Sequence, residues 1–149
     1  MILIRPYTEK DYFKLIELLQ LNIPRYFDRS EEQDFIDYLH NHAVHYYIVE
    51  IKSEIVGGGG INYFLEDNSA RISWDFVHPQ YQGRGLGKSL TEYRIEKIKA
   101  NPTMKFIVVR TSQMAFRFYE KMGFILEKVI KDYWAEGFDL YEMKLVFPI

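Results

Sequence analysis

The sequence predicts one α/β domain of the α+β kind, with a mixed, mostly antiparallel central sheet of about seven strands flanked by four helices. Three observations carry this. Short β-branched and aromatic runs alternate with segments whose apolar residues recur every three or four positions. Their order, β-α-α-β-β-β-α-β-α-β-β, contains a β-α-β crossover near the middle, and its other strands are joined so that antiparallel pairing predominates. No repeat, low-complexity tract or Gly/Ser linker divides the 149 residues, a length that buries a proper core without disulfides or metals.

The elements follow in order. Ile2 to Arg5 is a short strand ended by Pro6, and Thr8 opens a helix with the stripe Tyr12, Leu15, Ile16 and Leu19, stopped by Pro24. Ser30 and Gln33 have the form of a capping box for a second helix, whose apolar side is Phe35, Ile36 and Leu39. Tyr46 to Ile51 and Glu54 to Phe64 read as a hairpin turning at Lys52-Ser53. Within it, Gly57 to Gly60 reads as a bulged or closely packed stretch, since no helix follows to form a phosphate cradle. Ala70 to Val77 is the next strand, closed by Pro79. Leu86, Leu90 and Tyr93 begin a helix that ends before Pro102. Lys105 to Arg110 has three β-branched residues and reads as a buried strand. Met114, Phe118 and Met122 mark the last helix, with Gly123 suited to its C′ position. Phe124 to Asp132 and Phe138 to Phe147 complete the sheet.

Composition narrows the function. A formal net charge of −2 gives no general attraction to nucleic acid or anionic lipid, so any phosphate site is local. The chain has no cysteine, which excludes disulfides, zinc–thiolate sites and thiol nucleophiles. His40, His42 and His45 straddle a helix end and a strand start and lack a partner carboxylate, so no metal site is expected. Met1 runs straight into ILIRPY without a basic region ahead of a long apolar run, and no segment approaches a membrane span; a cytoplasmic protein is expected.

The stretch HPQYQGRGLGKSL, His78 to Leu90, carries glycines at 83, 85 and 87 just ahead of a helix. Glycines there let backbone amides converge on an anion, and the helix dipole adds about half a positive charge. The Walker loop needs G-x-x-x-x-G-K-[ST]; Gly87-Lys88-Ser89 match its end, but Gln82 stands where its first glycine belongs. The dinucleotide fingerprint G-x-G-x-x-G fails on spacing and on position in the chain.

Gln82-Gly83-Arg84-Gly85-Leu86-Gly87 matches the R/Q-x-x-G-x-G/A signature of the GNAT N-acetyltransferase superfamily, with Val77-His78-Pro79 as its lead-in. A second block, Ala115 to Phe124 (AFRFYEKMGF), resembles that family's A-x-x-x-Y-E-K-x-G-F segment, and the element order resembles the family over nearly the whole chain. The resemblance implies a GNAT-like fold and an acyltransferase that carries an acetyl group from acetyl-CoA to a primary amine, with no metal. It implies a pyrophosphate on the amides of residues 83 to 88, with Arg84 and Lys88 adding charge and Ser89 close by. It also implies donor contacts from Phe76, Val77 and His78, from Gln82 and Leu86, and from Ser112, Phe116 and Tyr119. Ser112 replaces a common asparagine; it keeps capping ability but has a shorter reach.

Acyl transfer needs a polarised carbonyl, a deprotonated amine and a proton for the departing thiolate. The resemblance implies that the backbone amide of Val77 or a neighbour holds the acetyl carbonyl, and that the phenol of Tyr119 is the general acid. Some members carry a glutamate base on the strand before the tyrosine helix, but Ile107 and Val108 stand there, leaving Asp75 between Trp74 and Phe76 as the candidate base. The acceptor is expected between the first two helices and the last hairpin, near Arg25, Tyr26, Phe27, Arg29, Tyr133, Trp134 and Phe138. A small-molecule or peptide amine is the expected partner, with a homodimer allowed by family habit. The rival reading is a CoA sensor or peptide-binding module on the same fold that has lost turnover.

Overall fold

The computed structural model describes residues 1–148. Seven strands form one sheet, in the order β1-β2-β3-β4-β5-β7-β6. They are β1 (Ile2–Pro6), β2 (His45–Ile51), β3 (Glu54–Phe64), β4 (Ser69–Val77), β5 (Phe106–Thr111), β6 (Ile125–Ala135) and β7 (Phe138–Val146). The helices are α1 (Tyr12–Leu21), α2 (Glu31–Asn41), α3 (Leu86–Lys99) and α4 (Phe116–Lys121). Only β4 and β5 pair in parallel, across the α3 crossover, so the predicted order and sheet both hold.

Local chemistry accounts for most boundaries. Lys52 and Ser53 have φ of 50° and 66°, the two left-handed residues of a tight hairpin turn. The end of α4 is a Schellman motif: Gly123 N–H bonds to Glu120 carbonyl (3.0 Å) and Phe124 N–H to Tyr119 carbonyl (3.1 Å), with Gly123 at φ 101°. Two expectations shift. The cap of α2 is not the Ser30–Gln33 box: Ser30 is itself helical. Asp28 instead accepts from Ser30 N–H (2.9 Å), and Glu31 accepts from Asp28 N–H (2.8 Å), so the reciprocal box begins two residues earlier. α4 is shorter than its Met114–Met122 stripe, since Met114 lies in the turn before it.

Two cores flank the sheet. On one face α3 and α4 cover Tyr47, Val49, Ile61, Ile72, Ile107 and Val109. On the other, α1 and α2 bury Leu15, Leu18, Leu19 and Phe35 against Tyr46, Ile48 and Phe76. α1 packs on β3 and β4, and β5 is not buried on both faces as predicted: Ile107 and Val109 are buried, while Val108 and Arg110 are only half-buried on the side that α1 and α2 leave open.

Gly57 to Gly60 is bulged and closely packed as expected. A Cβ on Gly58 would come within 2.7 Å of the Tyr46 hydroxyl, and one on Gly59 within 2.8 Å of Arg94 Nη1 and 3.0 Å of Asp75 Oδ1. Strand β3 has no side chains here because large polar groups press on its backbone from both faces.

Candidate active site

The site begins with an irregularity in β4. Gly58 pairs with Phe76 but Gly60 with Ser73, so β4 carries one extra residue, and Trp74 sits there at φ 54°. A regular strand would point Asp75 to the same side as Arg71 and Ser73. The bulge inverts the alternation and turns Asp75 toward α3. It also ends the pairing of β4 with β5 at Ile72–Val109, and the strands diverge beyond that point.

Asp75 meets two groups across the gap. Arg94, fully buried on α3, donates from Nη1 to Asp75 Oδ1 (2.6 Å) and from Nη2 to Oδ2 (2.5 Å), and from Nη1 to Gly60 carbonyl (3.0 Å). The phenol of Tyr119, 4% exposed on α4, donates to Asp75 Oδ2 (2.5 Å). Burial first, and then the Asp75 charge, push the Tyr119 pKa well above the usual 10, so the phenol keeps its proton at neutral pH. An ionised carboxylate has about four acceptor sites. Arg94 and Tyr119 occupy three, and the Asp75 side chain keeps 18% exposure where it lines the cavity described below. Arg94 was not a sequence candidate, although the signal was present: it continues the buried row Leu86, Leu90 and Ile98 at four-residue spacing, where a charged residue requires a partner.

The glycine loop lies at one end of the gap. Gly83 and Gly85 have φ of 79° and 80°, and a Cβ on either would meet nothing within 4 Å. Glycine is therefore required there by backbone conformation rather than by crowding within the protein. The first bond of α3 runs from Ser89 N–H to Gly85 carbonyl (3.0 Å), so the amides before it lack helical partners.

A cavity of about 640 Å³ passes through the sheet where β4 and β5 part. On the α3 side Gly83, Gly85, Gly87, Lys88, Ser112 and Phe118 line it; Ile72, Asp75, Val109 and Tyr119 form the middle; Asn62, Phe64, Arg71, Arg110, Trp134 and Phe138 line the other side. Phe76, Val77, Gln82 and Leu86 also face it. The structure thus brings Asp75, Tyr119, the loop and Ser112 to one cavity.

Four candidates are not among its lining. His78 Nδ1 accepts from Gln80 N–H (3.0 Å) and caps a short turn. Arg84 lies over the Tyr81 ring (4.9 Å). Phe116 packs on Tyr141 at 4.6 Å. Ser89 lies one turn into α3, past the free amides. Two others have structural partners. Gln82 accepts from the Tyr26 hydroxyl (3.2 Å) and donates to Val77 carbonyl (3.3 Å). The Ser112 hydroxyl accepts from Met114 N–H (3.3 Å) and does not cap α4, whose N-cap is Ala115. Of the expected acceptor residues, Tyr26, Phe27, Trp134 and Phe138 line the cavity, whereas Arg25, Arg29 and Tyr133 do not. Trp134 is fixed by its indole N–H on Thr111 carbonyl (3.1 Å). Glu31, 6% exposed, also faces the cavity, and burial pushes its carboxyl up to about 7. Among the described residues no three His, Asp or Glu side chains converge on a point.

The family model described as "Acetyltransferase (GNAT) domain" matches residues 17–147. The chain belongs to the GNAT acetyltransferase family. It is an acyltransferase enzyme by that membership. A curated relative, an N-alpha-acetyltransferase of Sulfurisphaera tokodaii, is 28% identical over 160 aligned positions covering 91% of this chain and 86% of its own. The fold is shared with Ard1 from Thermoplasma volcanium at a TM-score of 0.81 and 18% identity, covering 97% of both chains. It is also shared with a Salmonella typhimurium protein, yncA, solved with its cofactor acetyl-CoA, at a TM-score of 0.78 and 17% identity, covering 100% of this chain and 95% of that one.

Proposed function

We propose that this enzyme transfers an acetyl group from acetyl-CoA to the primary amine of a peptide or small molecule, and that the two substrates meet inside the sheet. The observation that carries the reading is a single cavity with the glycine loop at one mouth, the other mouth on the opposite face, and Tyr119 hydrogen-bonded to Asp75 between them. The relative named an N-alpha-acetyltransferase and the fold neighbour solved with acetyl-CoA support the donor and the α-amine class of acceptor.

The residues present fit the donor. The amides of residues 83 to 88 and the α3 dipole receive the pyrophosphate, and Lys88 adds charge beside it. The pantetheine arm runs past Ser112 and Phe118 toward the parting of β4 and β5. The amide of Val77 or a neighbour binds the acetyl oxygen. In the reaction, Asp75 takes a proton from the acceptor's ammonium at its free lone pair. The neutral nitrogen adds to the thioester carbon, the carbon–sulfur bond breaks, and the second proton of the now cationic nitrogen leaves to solvent. Tyr119 gives its proton to the thiolate, and the proton held on Asp75 returns to the phenolate along the hydrogen bond that already joins them. One amide and one thiol form, and the enzyme regains its starting state.

Calorimetry with acetyl-CoA, followed by thiol release with a panel of amines, tests the reading. Binding with turnover is the expected result. Binding without turnover on any amine would make the protein a CoA sensor, and no binding would remove the donor assignment.

A further inference from the structure

The mouth opposite the glycine loop carries two arginines that are incompletely paired. Arg71 on β4 and Arg110 on β5 both line it. The ladder pairs Arg71 with Val108 and Ile72 with Val109, so the two arginines share a face with Cα atoms roughly 8 Å apart by strand geometry. Arg71 lies over the Phe64 ring (4.6 Å) and forms no ion pair among the described residues. Arg110 is stacked over Tyr133 (5.0 Å) and Trp134 (5.9 Å). Its Nε lies 3.3 Å from Glu142, a carboxylate that Lys128 also approaches at 3.7 Å. That Nε is buried without a hydrogen-bond partner. Aromatic faces hold the guanidinium in place and leave its bidentate edge open.

An amine-acetylating site gains nothing from cations at its acceptor mouth unless the acceptor carries a negative charge, because an arriving ammonium is repelled by them. We infer that Arg71 and Arg110 form a carboxylate-binding subsite, and that the preferred acceptor is an amine with a carboxylate a few bonds from its nucleophilic nitrogen. This rests on the acetyl-transfer reading above. Roughly 7–13 Å of strand separates Asp75 from the positions of the two arginines, a spacing that suits one molecule bound at both ends. Two sources offer this chemistry: the α-carboxylate of a free amino acid, and an acidic side chain next to a peptide's N-terminus. The free fork of Arg110 is the specificity determinant, since a planar guanidinium pairs with a carboxylate through two parallel bonds.

The test compares acceptors that differ only in the carboxylate: peptides with Asp or Asn at the second position, and an amino acid beside its amide. For the wild type kcat/KM is expected to favour the charged member of at least one pair by about 10- to 100-fold, the usual share of a charge-assisted pair. The pair that shows it identifies the source. In Arg110→Gln and Arg71→Gln the ratio falls toward one through the acceptor's KM, with the donor's KM unchanged, and Arg110→Lys restores part of it. Circular dichroism confirms that each variant is folded. Equal use of charged and neutral acceptors by the wild type, or a preference that survives in the double Gln variant, overturns the subsite and leaves the acetyl-transfer reading standing. No turnover with any acceptor overturns both.

Discussion

Replacing Arg94 by methionine tests how the site is held together. Methionine keeps much of the length and apolar stem but cannot donate. The change removes two bonds to Asp75 (2.6 and 2.5 Å) and one to Gly60 carbonyl (3.0 Å). Breaking a buried ion pair costs about 3–5 kcal/mol, chiefly because the surviving charge is stranded. Asp75 retains 18% side-chain exposure, so water offsets part of that, and a loss of about 3 kcal/mol is expected. Against a typical domain stability of about 5–15 kcal/mol, the variant still folds. The assay is urea denaturation of wild type, Arg94→Met, Asp75→Asn and the double variant at neutral pH. Once the carboxylate is gone the missing arginine matters less, so the double variant should be more stable than the sum of the single losses by about 2 kcal/mol. Activity should fall in kcat, because Asp75 loses the two bonds that fix its carboxylate against the Tyr119 phenol. Losses that add within about 0.5 kcal/mol would refute the coupling.

Tyr119→Phe keeps the packing on Phe118 and Phe124 but removes the proton, so kcat should drop about 10²–10⁴-fold with little change in donor affinity; unchanged kcat in steady-state assays would take the acid role away from it. The loop glycines separate two causes. A Cβ on Gly87 meets only the Phe118 ring at 3.6 Å, so Gly87→Ala should keep its melting temperature and lose acetyl-CoA affinity by calorimetry. Gly85→Ala forces a left-handed alanine at φ 80° and should also lose about 1–2 kcal/mol of stability. Glu31 gives a pH signature. Its folded carboxyl holds a proton up to about 7, against 4.5 for the ordinary side chain. Between those values the unfolded state binds fewer protons, so stability falls as pH rises through the window and levels off above it. Glu31→Gln should flatten that slope in urea midpoints measured across the window, and an unchanged slope would assign it to another group.

Much of the fold was legible because local chemistry decides it. Lys52-Ser53, Gly123 and the four-residue rows of α1 and α3 each specify a turn, a stop or a buried face without reference to distant residues. The α2 cap was misplaced because Asp28 and Ser30 both carry capping oxygens, and the choice between them depends on the chain's path out of α1. In the site, the glycine loop and Tyr119 were legible because they lie in contiguous motifs. The direction of Asp75 was not, since the bulge at Trp74 arises from pairing with β3, which no local pattern encodes. Arg71 and Arg110 were passed over for the same reason: their adjacency is a product of strand register. Arg94 could have been found, as a charge on an otherwise apolar helix row.

The central claim is that acetyl-CoA and an amine meet through the sheet at Tyr119 and Asp75. Incubating the protein with isotopically labelled acetyl-CoA and a set of peptides and free amino acids, then locating the label by mass spectrometry, tests it most directly. Label is expected on the amine of at least one acceptor, formed by the wild type and largely lost in Tyr119→Phe. Peptide and amino-acid acceptors that all stay unlabelled while acetyl-CoA binds the protein, or label appearing equally with Tyr119→Phe, would contradict it.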